Sequence, residues 1–445
     1  MITPEFLETI TEQTEKTVTF MRTQILHRIC DRIEASLIAN EENILIPSTI
    51  TEIHQLMDTG MMIEDIQEEV EKALPDIQTE IRKAFYESAR EISNYNTDVA
   101  KEIIKAMTES GMQVDVEIPQ YERIGLPKST ANLNMTAHEV RKLEQIYKGA
   151  NRMVENMCRL LPVQGNEMYL RLATEGFLKA QSGTPIGEVI MEAIKDASGA
   201  GITSVNYTSG HVDKIEVAVA RAVRTAVSKA NAEITLSRCS EMGVACVKVS
   251  EHYGARVTKH QDYTNHAMWQ GKVYSLDWSK PELAELSTEV QKEEKGFKWL
   301  RNLRDYVVGF FNKKKKPAYP DFVEVCGYGQ MLGISGINCR HTFSAFFPDV
   351  QEEPQSAVDD VKNEQYYEDT QKQREMERRI RKTRTELYNL QGKDYPETVK
   401  RIEYLNNLLE KQTDALFDFC DSKGFKVESW RLQIHAGDNT KIVRR

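Results

Sequence analysis

Residues 252–347 carry the motifs that decide the fold, and they begin with His252-Tyr253-Gly254-Ala255-Arg256. They continue through His266-Ala267-Met268-Trp269-Gln270-Gly271-Lys272-Val273-Tyr274 and close with Gly327-Tyr328-Gly329 and Asn338-Cys339-Arg340-His341. Segments rich in β-branched and aromatic residues predict short strands here, at 244–249, 272–276, 322–325 and 342–346. Long helical patterns lie on both sides. We therefore predict a predominantly helical α+β protein, with a small mixed α+β domain at about 244–347 on a helical scaffold.

The helical patterns before this stretch have recognisable ends. Residues 4 to about 39 predict one long helix with Thr3 as its N-cap. Shorter helices are predicted up to about residue 110, separated at Gly60 and Pro75. The spacing Thr136-x-x-Glu139 predicts a capping box, in which each side chain satisfies a free backbone N–H of the other residue.

A long alanine-rich helix is predicted from Val212 to Met242, and Gly243 is its predicted end. After the motifs, residues 354–391 and 399–423 predict two charged helices, which would form an αα-hairpin around a short turn. Each has one narrow apolar face, which favours antiparallel pairing.

Together these patterns divide the chain into four segments. We predict an N-terminal helical arm at 1–115 and, after a polar linker, a helical scaffold at 116–243. The motif-bearing α+β domain is predicted at 244–350, with an insertion at 280–317, and a charged helical hairpin and tail at 351–445. The arm could be an ordinary bundle or a docking surface for a partner. An apolar stripe on a helix must be covered, but the sequence does not identify what covers it.

Composition limits the classes of protein and partner. The chain has 445 residues and a net charge of -10, so any contact with DNA must come from a local basic patch. Its seven cysteines are scattered, which favours free thiols in a reducing compartment. We find no pattern typical of a signal peptide or a membrane span, and we expect synthesis in a cytoplasm.

The insertion is the obvious basic segment. Its basic side chains are Lys298, Arg301, Arg304, Lys313, Lys314, Lys315 and Lys316. Apolar residues share one face of the same predicted helix, so it could contact DNA phosphates or a membrane surface. The alternative is an amphipathic hairpin docked on its own protein with a solvated lysine run.

The motifs also contain side chains that could bind metal. His252, His266, Cys339 and His341 are weak candidates for a zinc site, because a strand would direct Cys339 and His341 to the same face. No Cys-x-x-Cys pair accompanies them. The alternative is that they bond to backbone groups and close a loop-rich fold. We expect no cofactor. A zinc ion bound by these side chains is the alternative that needs a test.

Other chemistry is less well supported by these residues. Cys339 beside His341 suggests a thiolate nucleophile, but residues this close in sequence rarely form such a pair. Gly327-Tyr328-Gly329 could cradle phosphate, yet it matches no phosphate-binding fingerprint and more simply indicates turns that need positive φ. Arg256 and Arg340 fit structural arginines that bond backbone carbonyls. We identify no catalytic constellation and expect that the protein is not an enzyme.

These motifs resemble those of the phage minor capsid proteins of the second type, and are similar to the wider Mu F-like head-morphogenesis group. The resemblance is carried by His252-x-Gly-Ala-Arg256, His266-x-x-Trp269-Gln-Gly-Lys-Val-Tyr274, Gly327-Tyr-Gly329 and Asn338-Cys-Arg-His341. It implies a structural minor head protein of a tailed bacteriophage, made in the host cytoplasm and placed inside the head near the portal. Its implied partners are the portal protein, other head proteins and packaged double-stranded DNA, and its implied role is in head assembly or DNA packaging or delivery.

A competing hypothesis is an enzyme delivered with the phage genome, whose site would be built on Arg256, His266, Cys339, Arg340 and His341. The architectural hypothesis makes a structural prediction of its own. It requires the segment around His266 and the segment around His341 to fold against each other as one compact unit.

Overall fold

The structure is a computed structural model that describes residues 3–41, 48–109, 111–116, 134–206, 212–292, 298–312, 319–348 and 351–435. Its helices, in chain order, are α1 (Pro4–Thr9), α2 (Glu12–Glu41), α3 (Ser48–Glu109), α4 (Ala137–Arg159), α5 (Leu161–Gln181), α6 (Ile186–Ala200), α7 (Ile215–Met242), α8 (Pro281–Lys292), α9 (Lys298–Asn312), α10 (Phe322–Cys326), α11 (Asp360–Leu390) and α12 (Pro396–Lys423). Its strands are β1 (Thr203–Asn206), β2 (Val212–Lys214), β3 (Cys246–Val249), β4 (Val273–Ser275) and β5 (Phe343–Phe346). The prediction of a predominantly helical α+β fold is confirmed.

Several predicted helix ends are confirmed by their hydrogen bonds. The Thr3 hydroxyl accepts from the Phe6 N–H at 3.2 Å, and Gly243 ends α7 with a φ of 69°. In the capping box, the Thr136 N–H donates to Glu139 Oε2 at 2.7 Å, and the Glu139 N–H donates to the Thr136 hydroxyl at 3.2 Å. These interactions are local, which is why sequence spacing alone predicts them.

Two predicted boundaries in the N-terminal helices are wrong. The helix expected over 4–39 is divided between α1 and α2, because the Thr11 hydroxyl donates to the Glu8 carbonyl at 3.1 Å and competes with the helical ladder. Conversely, α3 continues through Gly60 and Pro75. Burial of Val70 and Ile77 on either side of Pro75 offsets the hydrogen bond that proline cannot donate.

The predicted strand at 322–325 is also wrong, since these residues form the short helix α10. The Asp321 carboxylate caps the helix by accepting from the Glu324 N–H at 2.8 Å, and Gly327 ends it with a φ of 63°. The two caps outweigh the strand preference of valine and phenylalanine. The strands at Cys246–Val249, Val273–Ser275 and Phe343–Phe346 are confirmed, whereas the hairpin of β1 and β2 was not predicted.

The chain divides into two compact units, each made of three separate stretches. Unit 1 comprises Met1–Thr11, Ile81–Asn151 and Arg221–Glu368, and unit 2 comprises Glu12–Glu80, Arg152–Ala220 and Asp369–Arg445. The four consecutive segments predicted from local patterns stay a prediction.

Unit 1 is built around an antiparallel three-stranded sheet in the order β4-β3-β5. Val247 of β3 lies opposite Tyr274 of β4 and Ala345 of β5, and all three are buried in one core. Helices α3, α7, α8 and α9 contribute their apolar faces to the same core. The first motif loop follows β3 and the second precedes β5, so the sheet fixes where the first begins and where the second ends.

Unit 2 is helical apart from β1 and β2. Helix α2 packs on α5 and α6, and α12 packs on α6. Within the hairpin of α11 and α12, Arg401 Nε donates to Glu386 Oε1 at 2.7 Å and the Thr383 hydroxyl to Gln412 Oε1 at 2.9 Å, which gives antiparallel pairing. Among the described residues, no helix is long and apolar enough to cross a membrane.

Candidate functional site

The two motif segments lie against each other in unit 1. The loop between β3 and β4 carries the first segment, with His266 in a 3-10 turn at His266–Met268. The Arg256 guanidinium donates to the carbonyls of Leu332, at 3.1 Å, and Ile337 in the second segment. His266 Nε2 donates to the same Leu332 carbonyl at 2.9 Å. One backbone carbonyl therefore fixes both an arginine and a histidine of the first segment.

The Gln270 side chain joins the two segments at their centre. Its Oε1 accepts from the His252 backbone N–H at 3.0 Å and lies 3.2 Å from His341 Nε2. Because Oε1 can only accept, His341 Nε2 carries the proton. The lone pair of His341 is therefore on Nδ1, which lies 3.7 Å from Cys339 Sγ.

Aromatic rings fill the space around His341. Its ring centroid lies 4.4 Å from that of His252, 4.7 Å from Trp269 and 5.3 Å from His266. Trp269 is buried and its Nε1 donates to the Tyr263 carbonyl at 3.1 Å. These contacts leave the three histidine rings in a single cluster.

The glycine-rich turn after α10 lets the second segment double back on itself. A Cβ on Gly333 would lie 2.0 Å from the Gly327 carbonyl oxygen, and one on Gly336 would lie 2.4 Å from that of Met331. Ser335 and Asn338 adopt positive φ values of 59° and 57°. The turn is thus a close approach of backbone to backbone, which only glycine permits at the two closest points.

The remaining motif residues support this arrangement from its edges. The Tyr274 hydroxyl donates to the Trp269 carbonyl at 2.8 Å, and Lys272 Nζ donates to that of Met268 at 2.6 Å. The Tyr328 hydroxyl donates to Glu233 at 3.4 Å, and Arg340 forms an ion pair with Glu8 of α1. Gly254, Gly271 and Gly329 all have positive φ.

Sequence reasoning missed a residue that holds the first loop. Asn363, fully buried near the start of α11, accepts from the N–H groups of Gly254 at 2.8 Å and Ala255 at 3.0 Å. Its Nδ2 donates to the Ala255 carbonyl at 3.2 Å. An asparagine in a charged helix gives no sequence signal for such a contact, because its partners are more than a hundred residues away.

The described part of the insertion's basic segment is helix α9. The apolar face of α9, including Leu303 and Val307, is buried in the unit 1 core, as expected of a helix docked on its own protein. Arg301 is exposed, and Arg304 packs its aliphatic stem near Gly243. Lys298 begins α9, and Lys313–Lys316 lie outside the described residues.

Burial determines the charge state of the cluster. It lowers the pKa of His266 to about 4 and holds the pKa of His252 and of His341 below the usual range for histidine. Burial also raises the pKa of Cys339 to about 11, despite hydrogen bonds and the Arg256 charge that act in the opposite direction. A buried thiol that is held protonated is a poor nucleophile.

The same cluster brings three metal-ligating side chains together. One ring nitrogen of His266, one of His341 and Cys339 Sγ all lie within 4.8 Å of one another, and all three residues are buried. His252 belongs to the same ring cluster through its contact with His341. The predicted candidates for metal binding are therefore brought together in space.

Comparison with known proteins identifies a family. The family model described as phage minor capsid protein 2 matches residues 2–410. Searches of the curated proteins and of the solved structures gave no match.

Proposed function

The chain belongs to the phage minor capsid protein 2 family, and we propose that it acts inside the head near the portal, where it assists head assembly and the packaging or delivery of DNA. Family membership makes it a minor capsid protein of a bacteriophage virion. The observation that carries the proposal is the extent of the match, which includes all the motifs described above.

We propose that the cluster around His341 is architectural rather than catalytic. Three of its side chains are engaged with the other segment: Arg256 with two backbone carbonyls, His266 with the Leu332 carbonyl and His341 with Gln270. Such bonds join segments that are distant in the sequence. They support a role in holding unit 1 in one shape for assembly.

An exposed apolar surface in unit 2 supports docking on another head protein. Met153, Leu160 and Val163, at the junction of α4 and α5, are 51%, 50% and 54% exposed. Leu160 has helical backbone angles, so the spacing of seven and three residues places these side chains on one side of the junction. We propose that this surface binds the portal protein of the same phage.

Co-expression with that portal protein tests the proposal. We expect the full chain to co-purify with the portal, and the double variant Leu160→Asp/Val163→Asp to lose at least tenfold in affinity, about 1.4 kcal/mol or more, because two charges would be placed in an apolar contact. Leu178→Asp is the matched control, since Leu178 is 57% exposed on the same helix but lies apart from the surface. Failure to form a complex, together with absence of the protein from mature particles, would contradict the proposal.

A further inference from the structure

Each histidine of the cluster has one nitrogen fixed by an oxygen acceptor. His266 donates through Nε2 to the Leu332 carbonyl, and His341 donates through Nε2 to Gln270. His252 donates through Nδ1 to the Tyr253 carbonyl at 2.9 Å. The lone pairs are therefore on His266 Nδ1, His341 Nδ1 and His252 Nε2. Metal-binding histidines are typically held in this way, with the other ring nitrogen donating to a carbonyl or side-chain oxygen.

One of these lone pairs has no hydrogen-bond partner among the described residues. His252 Nε2 is inaccessible to solvent and accepts no hydrogen bond from any described residue. A buried polar atom without a partner is costly, and in native proteins it commonly indicates a ligand, ion or water. The bond between the Cys339 thiol and His341 Nδ1 does not account for this atom.

The spacing of the ligand atoms fits a tetrahedral ion. Zinc with bonds of about 2.3 Å to sulfur and about 2.0 Å to nitrogen requires sulfur–nitrogen separations of about 3.5 Å. Cys339 Sγ lies 3.7 Å from His341 Nδ1, and the ligand atoms of Cys339, His341 and His266 lie within 4.8 Å of one another. The Cys339–His341 pair therefore already lies near the spacing that zinc requires, with the His266 ligand atom in the same 4.8 Å group.

We propose that Cys339, His266 and His341 form a structural zinc site, and that His252, whose ring contacts that of His341 but whose nitrogens lie outside the 4.8 Å group, turns toward the ion as the fourth ligand. One thiolate and three neutral imidazoles are ligands of the kind that zinc accepts, and four protein ligands leave no open position for a substrate. His252 and His266 belong to the first motif segment, and Cys339 and His341 to the second. The ion would therefore link the two segments through coordination bonds, at the place where the Gln270 side chain already joins them.

Metal analysis of the purified full chain is the first test. We expect equimolar zinc after purification without added chelator. After zinc is removed and cobalt is added, we expect the strong visible bands of tetrahedral cobalt and a thiolate-to-cobalt charge-transfer band. This measurement uses the wild-type chain, so it does not depend on any variant folding. A folded chain that holds no zinc and gives no such bands with cobalt would overturn the proposal.

Variants then identify the ligands. Cys339→Ala should remove the charge-transfer band, whereas Cys246→Ala should keep it, because Cys246 is equally buried in β3 of the same unit but is not in the ligand cluster. Gln270→Ala removes no ligand but frees His341 Nε2, and we expect zinc affinity to fall about 10–100-fold. Cobalt bands that survive in Cys339→Ala, or zinc affinity unchanged in Gln270→Ala, would contradict the assignment.

Discussion

At the scale of single residues, the first motif loop depends on an amide that lies far away in the sequence. Asn363 makes three hydrogen bonds to the backbone of Gly254 and Ala255, and it is completely buried. An amide suits this place because it offers an acceptor to two N–H groups and a donor to one carbonyl. No aliphatic side chain could replace these bonds.

We expect Asn363→Ala to lower the free energy of unfolding by about 2 kcal/mol, because buried N–H groups would lose their acceptor. Urea unfolding followed by Trp fluorescence measures this, since Trp269, Trp278 and Trp299 all lie in unit 1. Asn407→Ala, at an exposed position on α12, is the control and should change stability by less than about 0.5 kcal/mol. Equal effects of the two substitutions would show that the contact contributes nothing.

The glycine turn gives a second prediction at this scale. Gly333→Ala should destabilise the protein by more than about 2 kcal/mol, because its Cβ would collide with backbone at Gly327 rather than with a flexible side chain. Gly149→Ala, within α4 and with no atom within 4 Å of the added Cβ, should instead stabilise by about 0.5–1 kcal/mol. Thermal unfolding of both variants is the measurement, and shifts of the same sign would contradict the prediction.

At the scale of secondary-structure elements, burial decides between alternatives that periodicity leaves open. Helix α9 has the apolar face that a membrane-surface helix would need, but its Leu303 and Val307 are occupied in the unit 1 core. The C-terminal hairpin likewise packs on α6, where the Asn389 amide donates to the Ser198 hydroxyl at 3.0 Å. An amphipathic pattern predicts that the apolar face of a helix is buried. Only the folded structure shows which element covers that face.

The junction of β2 and α7 gives a prediction for pH dependence. Burial, together with the charges of Arg22, Arg381 and Lys382, lowers the pKa of Lys214 to about 8 against the opposing effect of Glu216. Because the folded state disfavours the charged amine, folding carries a cost below pH 8. The cost disappears as pH rises toward the ordinary lysine pKa of 10.5, where the unfolded chain also loses its proton.

We therefore expect Lys214→Met to raise the free energy of unfolding at pH 7 by roughly 2–3 kcal/mol, with the advantage over wild type shrinking between pH 8 and 10. Thermal unfolding of unit 2 followed by circular dichroism measures the difference at each pH. Lys423→Met is a control, since Lys423 is more exposed and pairs with Asp369. A constant difference between Lys214→Met and wild type across this range would refute the explanation.

At the scale of the whole molecule, the net charge of -10 opposes binding to DNA. We expect the chain to elute from immobilised DNA at low salt, with the residual retention coming from the basic insertion. Replacing Lys313–Lys316 by alanine should reduce that retention and the slope of its salt dependence. The same replacement at Lys372, Lys411, Lys423 and Lys426 serves as a charge-matched control, and equal losses would rule out a specific basic contact.

The local features of this protein could be predicted from its amino-acid sequence. The capping box of Thr136 and Glu139, the glycine that ends α7, the strands that flank the motifs and the C-terminal hairpin all follow from interactions within a few residues. The motifs also carried the resemblance that the family match then confirmed. Such features are readable because backbone sterics and short-range hydrogen bonds depend on neighbouring residues alone.

Features that depend on residues distant in the sequence could not be predicted before the fold was known. The tertiary structure carried α3 through Pro75, replaced a predicted strand by α10, and placed Asn363 on the first motif loop. It also set the tautomers of His266 and His341, through the Leu332 carbonyl and Gln270, and so decided where the lone pairs lie. Burial and long-range hydrogen bonds exist only once the chain has folded, and for that reason a list of histidines and cysteines could name candidates for a site without assembling it.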